Sequence, residues 1–94
     1  MAEFDLPADL IAAQRAYLAA ERTCEEIASA IPAATEVASG KATIPEAQRT
    51  ALTEARAERA RHLDILYGHP WWATIDRADH LRARTHLRQA AETP

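Results

Sequence analysis

The chain has 94 residues with a formal net charge of −3, and it contains 23 alanines, two glycines and one cysteine. This length predicts a single domain over residues 1–94, and the alanine excess with few β-branched or aromatic residues excludes a sheet protein. A single cysteine cannot form an intrachain disulfide, and no stretch has the length and apolarity of a membrane span.

These features predict a cytoplasmic protein without membrane contact. Acidic residues rather than a basic segment follow Met1, so we expect no signal peptide. Arginine outnumbers lysine by ten to one, which together with the alanine excess indicates a GC-rich bacterial genome. Charge is uneven: residues 1–40 carry seven acids and two bases, whereas residues 69–94 carry four arginines and three acids. Such asymmetry favours contacts between like subunits.

The first predicted helix covers residues 7–31. Pro7 suits a first turn, and Pro32 disfavours helix at the residue before it. Between them apolar residues recur at steps of three and four, which predicts one buried stripe interrupted by Gln14 and Glu21. We expect residues 1–6 to be frayed, although Phe4 and Leu6 could pack on a neighbouring helix, and residues 92–94 to be frayed as well.

The second predicted helix covers residues 44–67. Residues 32–43 are predicted to be a loop, with a short helical turn near residues 35–39. Thr43 and Glu46 have the spacing of a capping box, in which each side chain bonds the other residue's amide. Gly68 suits the left-handed position after a helix end.

Two such helices joined by a modest loop should form an antiparallel hairpin. With the loop centred near residue 38, facing residues should have numbers that sum to about 76. This register predicts two structural polar pairs: Glu21 with Arg56 or Arg59, and Gln14 with His62. Such pairs fix register more than they add stability.

A third helix is predicted over residues 70–91, with His69 as an imperfect cap before Pro70. Arginines cover one side of it, and an apolar stripe with Leu81 covers another. The expected fold is therefore all-α: a long antiparallel hairpin of coiled-coil type plus a third helix. This helix either completes a three-helix bundle or is exchanged between subunits of a homodimer.

The sequence offers little for catalysis or metal binding. Two histidines of one helix bind a metal at spacings of three or four, but the four histidines do not have that spacing. Cys24 lies on the apolar stripe, where a cysteine acts as a small hydrophobe. Two glycines 28 residues apart cannot form a phosphate loop. We therefore predict no catalytic residue, no metal and no cofactor, and hence a protein that is not an enzyme.

The adjacent tryptophans are the most informative feature. They either close the open end of the hairpin near Leu10 and Leu66, or present an exposed anchor to a partner. The function favoured by the sequence is a small protein–protein interaction or regulatory module that also forms homo-oligomers. Its predicted partner-binding residues combine the aromatic segment with the basic side of the third helix: Trp71, Trp72, Ile75, Arg77, Arg82, Arg84 and Arg88.

Two alternatives remain. The same arginines could make the third helix a nucleic-acid contact, but the chain is acidic overall and Asp76 and Asp79 lie on the same segment. A small-ligand pocket near Tyr17, Cys24 and the tryptophans would lack a convergent group of polar side chains.

Overall fold

The computed structural model describes residues 3–93, and the helices it contains there confirm the all-α fold. No strand occurs in that part of the chain. The α-helices are α1 (Ala8–Ser29), α2 (Ala34–Ala38), α3 (Glu46–Tyr67) and α4 (His80–Glu92), and two 3-10 helices (Pro70–Thr74 and Arg77–Asp79) lie between α3 and α4. Within residues 3–93 no helix has both the length and the apolarity needed to cross a bilayer.

The helices α1 and α3 form the predicted antiparallel hairpin. Each has 22 residues, which corresponds to a length of about 33 Å. At one end the Gln48 side chain reaches the Ala30 carbonyl, and at the other end Leu10 and Leu66 share the core. The short helix α2 occupies the loop where a helical turn was expected.

The capping box predicted at residues 43–46 is absent. Residue Pro45 precedes the first residue of α3, and no side chain caps this helix end. A box on Thr43 would have required helical geometry at Ile44, but the residue before a proline avoids the α conformation. The helix therefore begins after Pro45, two residues later than predicted.

The third predicted helix is broken near its middle. Residues Pro70–Thr74 form a 3-10 helix, Ile75 and Asp76 are extended, and α4 begins only at His80. Two β-branched residues, Thr74 and Ile75, are poor helix formers, and aspartate favours the non-helical position before a helix. The predicted helix over residues 70–91 is thus confirmed only in its second half.

The helix α4 packs on α1 of its own chain and covers only part of the hairpin. Glu3 contacts Arg82 near the start of α4, whereas Arg15 bonds the carbonyls of Ala91 and Thr93 at its end. The direction of α4 is therefore parallel to α1, and α4 ends level with Arg15. These bonds also satisfy terminal carbonyls and place a cation at the negative end of the helix dipole.

The molecule is elongated because the rest of the hairpin has only two layers. Its Cα radius of gyration is 17.5 Å and its principal extents are 56 × 27 × 19 Å, whereas a compact domain of this length would have a radius of about 12 Å. The main core cluster lies at the three-layered end, and its members come from α1, α3, the first 3-10 helix and α4: Leu10, Leu66, Trp71, Trp72, Ala83 and Leu87.

The termini are better fixed than the sequence suggests. Phe4 and Leu6 pack against the core cluster, as the sequence allowed, and α4 runs to Glu92 rather than fraying there. Met1, Ala2 and Pro94 were also expected to be frayed, and they lie outside the described residues.

The left-handed glycine of the described chain is Gly40 rather than Gly68. Gly40, in the loop, has a positive φ of 79°, which is the left-handed region. Gly68, after α3, has a φ of −81°, so the left-handed conformation predicted there is wrong. Its lack of a side chain is required sterically, because a Cβ atom would lie 2.7 Å from the Asp64 carbonyl oxygen.

This difference predicts that asparagine is better tolerated than alanine at Gly40 but not at Gly68. At Gly40, alanine should lower the free energy of unfolding by about 1–2 kcal/mol through left-handed strain, and asparagine by less, because it tolerates that region. At Gly68, alanine and asparagine should both cost about 1–3 kcal/mol, since either Cβ forces the backbone to move. Urea denaturation of the four variants tests this, and a well-tolerated Gly68→Asn would contradict the steric explanation.

Candidate interaction surface

Both tryptophans are buried, and their polar atoms are satisfied within the chain. Trp71 is 9% exposed and Trp72 is 7% exposed. The Trp71 Nε1 donates to the Asp5 carbonyl at 3.0 Å, and the Trp72 Nε1 donates to the Leu66 carbonyl at 2.9 Å. The tryptophans therefore close the open end of the hairpin, and neither presents the exposed anchor that was the alternative.

His69 holds this aromatic segment in place. Its Nδ1 accepts from the Trp71 backbone amide at 3.1 Å, so it is the cap expected before Pro70. Its Nε2 lies 3.0 Å from the Asp9 carboxylate on α1. The hydrogen bond from His69 lowers the pKa of Asp9 below its usual value. The segment is thus tied to the start of α1.

Most arginines of the predicted contact surface have partners within the chain. Arg82 pairs with both Glu3 and Asp79, and Arg88 pairs with Glu92. Arg77 is exposed and forms no ion pair within residues 3–93. The fourth, Arg84, lies 5.6 Å above the Tyr67 ring. Ile75 is partly buried against the core cluster. The basic side of α4 is therefore largely neutralised.

Three exposed apolar side chains instead gather beside α4. Leu63 is 37% exposed, Tyr67 42% and Leu81 73%. We call these three residues together with Arg84 the Leu81 patch. They border one groove of about 500 Å³, which is walled by α1, α3 and α4 and is also lined by Gln14, Tyr17, Glu21, Thr85 and Arg88.

The Leu81 patch was missed because of the break in the third helix. The sequence assigned Leu81 to an apolar stripe that continues from Trp71 and Ile75. Once the helix restarts at His80, its buried stripe is instead Ala83, Leu87 and Ala91. The four-residue spacing of those three was the available signal, and it would have placed Leu81 on the outside.

The first predicted polar pair is wrong. Within residues 3–93, Glu21 forms no ion pair with Arg56 or Arg59. Its carboxylate lies beside the Tyr17 hydroxyl instead. The pKa of Tyr17 is raised above its usual value. Partial burial is the larger cause and the neighbouring Glu21 the second, while the charge of Arg59 opposes the rise.

The second predicted pair, Gln14 with His62, is also wrong. Gln14 is buried but makes no hydrogen bond to His62, which lies 3.4 Å from Glu58 instead. His62 therefore pairs along its own helix rather than across the hairpin.

The raised Tyr17 pKa can be measured directly. In Tyr67→Phe, Tyr17 is the one tyrosine left, and its tyrosinate absorbance should titrate above the usual 10.0. Adding Glu21→Gln should lower this pKa without restoring the usual value, because burial remains. Since the folded state holds the proton more tightly, stability should fall as pH rises above 10.0. An unchanged pKa in Glu21→Gln would contradict the contact.

A second groove lies on a different face of the hairpin. It has a volume of about 590 Å³, lies between α1 and α3, and is lined mainly by alanines, with Thr23, Ile27, Glu54, Glu58 and His62. Cys24 is buried between the same helices and lines neither groove. Tyr17, Cys24 and the tryptophans therefore do not converge on the shared pocket that the small-ligand alternative required.

The groups that could bind a metal are dispersed. Each histidine has its own neighbour: His62 lies beside Glu58, His69 beside Asp9, His80 beside the Trp72 carbonyl and His86 beside Glu3. Within residues 3–93, no three His, Cys, Asp or Glu side chains are grouped so that they could hold a metal ion.

Comparison with known proteins gives one family match. Residues 9–90, which include the hairpin, the tryptophan segment and most of α4, match the model of a family described as a domain of unknown function, DUF8825. No curated protein matches the chain, and no solved structure does.

Proposed function

This chain belongs to the DUF8825 family of domains of unknown function, and we propose that it is a small, non-enzymatic protein–protein interaction or regulatory module. Its contact surface in this proposal is the Leu81 patch. The main support for this proposal is the exposure of Leu63, Tyr67 and Leu81 around one groove. Scattered exposed leucines are ordinary, whereas apolar side chains grouped at a groove mark contact sites.

The composition of the patch supports a protein partner. An aromatic ring, an arginine stacked on it and a protruding leucine surround a recess, and aromatic residues and arginines are enriched at the energetic centres of interfaces. The tryptophans contribute indirectly, because they hold the end of α3 against the segment that leads to α4. The contact residues that we propose are therefore Leu63, Tyr67 and Leu81 rather than Trp71 and Trp72.

The non-enzymatic part of the proposal is supported by the placement of reactive side chains. Cys24 is buried between two helices, and the four histidines contact separate partners. A protein with a single buried thiol and no disulfide suits a reducing compartment. We accordingly propose a cytoplasmic location, in a bacterial cell as the arginine and alanine usage suggests.

The structure gives the nucleic-acid alternative no added support. Arg82 and Arg88 are already paired with acids, so binding phosphates would require those ion pairs to break. A salt-dependent gel shift that disappears in Arg82→Ala and Arg88→Ala would nevertheless favour that alternative.

Site-specific photocrosslinking in the producing cells tests the proposed surface. A photoreactive amino acid at Leu81 should give a discrete protein adduct. The same amino acid at Ala57, which is exposed elsewhere on α3, should give none. Equal labelling from both positions, or no adduct from Leu81, would remove the Leu81 patch as the contact surface.

A further inference from the structure

We infer that the Leu81 patch binds a second copy of this chain through a two-fold symmetric contact. This inference rests on the proposed function and names the partner. A two-fold contact uses the same patch on both subunits, so every feature on the patch must find its complement on that same patch. The Leu81 patch and its groove meet this requirement in both shape and charge.

Shape complementarity comes from a protrusion beside a recess. Leu81 is 73% exposed, and the groove it borders is walled by Tyr17, Leu63 and Tyr67. A two-fold operation presents the Leu81 of each copy to the other copy's hairpin face. Each leucine then leaves water against apolar and aromatic walls, which is the main source of favourable free energy in association.

Charge complementarity comes from one acid and one base of the groove that have no ion-pair partner within residues 3–93, whereas the second base of the groove, Arg88, is already paired with Glu92. The acid is Glu21 and the base is Arg84. A basic partner would complement Glu21 alone, and an acidic partner would complement Arg84 alone. A second copy supplies both charges at once, which is why we favour it over an unrelated protein.

The uncovered part of α1 extends the same complementarity. Because α4 ends level with Arg15, the remainder of α1 has no third helix over it on this side. Glu25 lies one turn beyond Glu21 and is exposed, so the acidic side of α1 continues past the groove. In the proposed dimer this acidic side of α1 adds a second carboxylate that attracts the Arg84 of the other copy.

Sedimentation equilibrium and light scattering of the full chain test the inference. At micromolar concentration the wild type should show twice the monomer mass of 10.4 kDa. Leu81→Asp should weaken the dimer by at least about tenfold, because it brings a charge against an apolar wall. Arg84→Glu and Glu21→Arg should each weaken it by a similar factor, because each brings like charges together. The double variant Glu21→Arg/Arg84→Glu should restore most of the wild-type affinity.

Two matched controls separate the contact from general effects. Arg77→Glu makes the same charge change just before α4 but outside the groove, and Ala57→Asp adds the same charge as Leu81→Asp on another exposed surface. Both should leave the dimer within about threefold of wild type. Far-UV circular dichroism should show that every variant remains helical, so that a loss of mass reports the contact.

Several outcomes would overturn the inference, and they differ from failure of the proposed function. A wild type that stays monomeric excludes the second copy, but an adduct to another protein from position 81 would leave the interaction module standing. A dimer that resists Leu81→Asp and Arg84→Glu uses another surface. A double variant as weak as its parents excludes the pairing of Glu21 with Arg84.

Discussion

Trp72→Ala is expected to lower the free energy of unfolding by about 3–5 kcal/mol. The Trp72 ring is only 7% exposed and packs against Tyr67, Trp71 and His80 at centroid distances of 5.2–5.5 Å. A domain of this size is stable by about 5–14 kcal/mol. The substitution should therefore remove a large share of the total, and far-UV circular dichroism in urea would measure it.

Trp72→Phe is the matched control, and it should cost much less. Phenylalanine keeps most of the apolar volume and loses the Nε1 hydrogen bond to the Leu66 carbonyl, which is worth about 1 kcal/mol. That carbonyl also accepts from the His69 amide at 3.4 Å, so it is not left without a donor. If Trp72→Ala destabilised the chain no more than Trp72→Phe does, the indole would not be a core element.

The helices themselves were predictable because their signals are local. Pro7 and Pro32 bound α1 to within two residues and Gly68 marked the end of α3, and the apolar stripes needed only sequence periodicity. The sequence left two placements open for the tryptophans, and the structure has the buried one near Leu10 and Leu66, as expected of large aromatics at the open end of a small bundle. These inferences did not depend on the register between helices.

The candidate surface was not predictable to the same degree because it depends on how the segments pack. A helix break at Ile75 and Asp76 rotates everything after it, so Leu81 moved from the expected core to the outside. The polar side chains also found other partners than those expected: Glu21 lies beside Tyr17, and His62 contacts Glu58 on its own helix. Neither the phase after a helix break nor the choice among nearby polar partners is encoded by composition or spacing within one segment.

The geometry of the hairpin predicts an uneven distribution of stability along it. The three-layered end contains Leu10, Leu66 and Leu87, each fully buried. Beyond the level of Arg15, α1 and α3 have only each other, and side chains such as Leu52 remain partly exposed. Regions with few buried apolar contacts open at low free energy, whereas cores open only with the whole domain.

Leu87→Ala should accordingly destabilise the domain by about 2–5 kcal/mol, and Leu52→Ala by about 1 kcal/mol or less. Leu87 is the one large side chain of α4 that is fully buried, and its neighbours Ala83 and Ala91 add little apolar area. Its loss should release α4, so amide exchange in α4 should accelerate together with that of the tryptophan segment. Leu52→Ala should accelerate exchange only around itself. Equal destabilisation by the two variants would mean that the two-layered half holds the fold as firmly as the aromatic end.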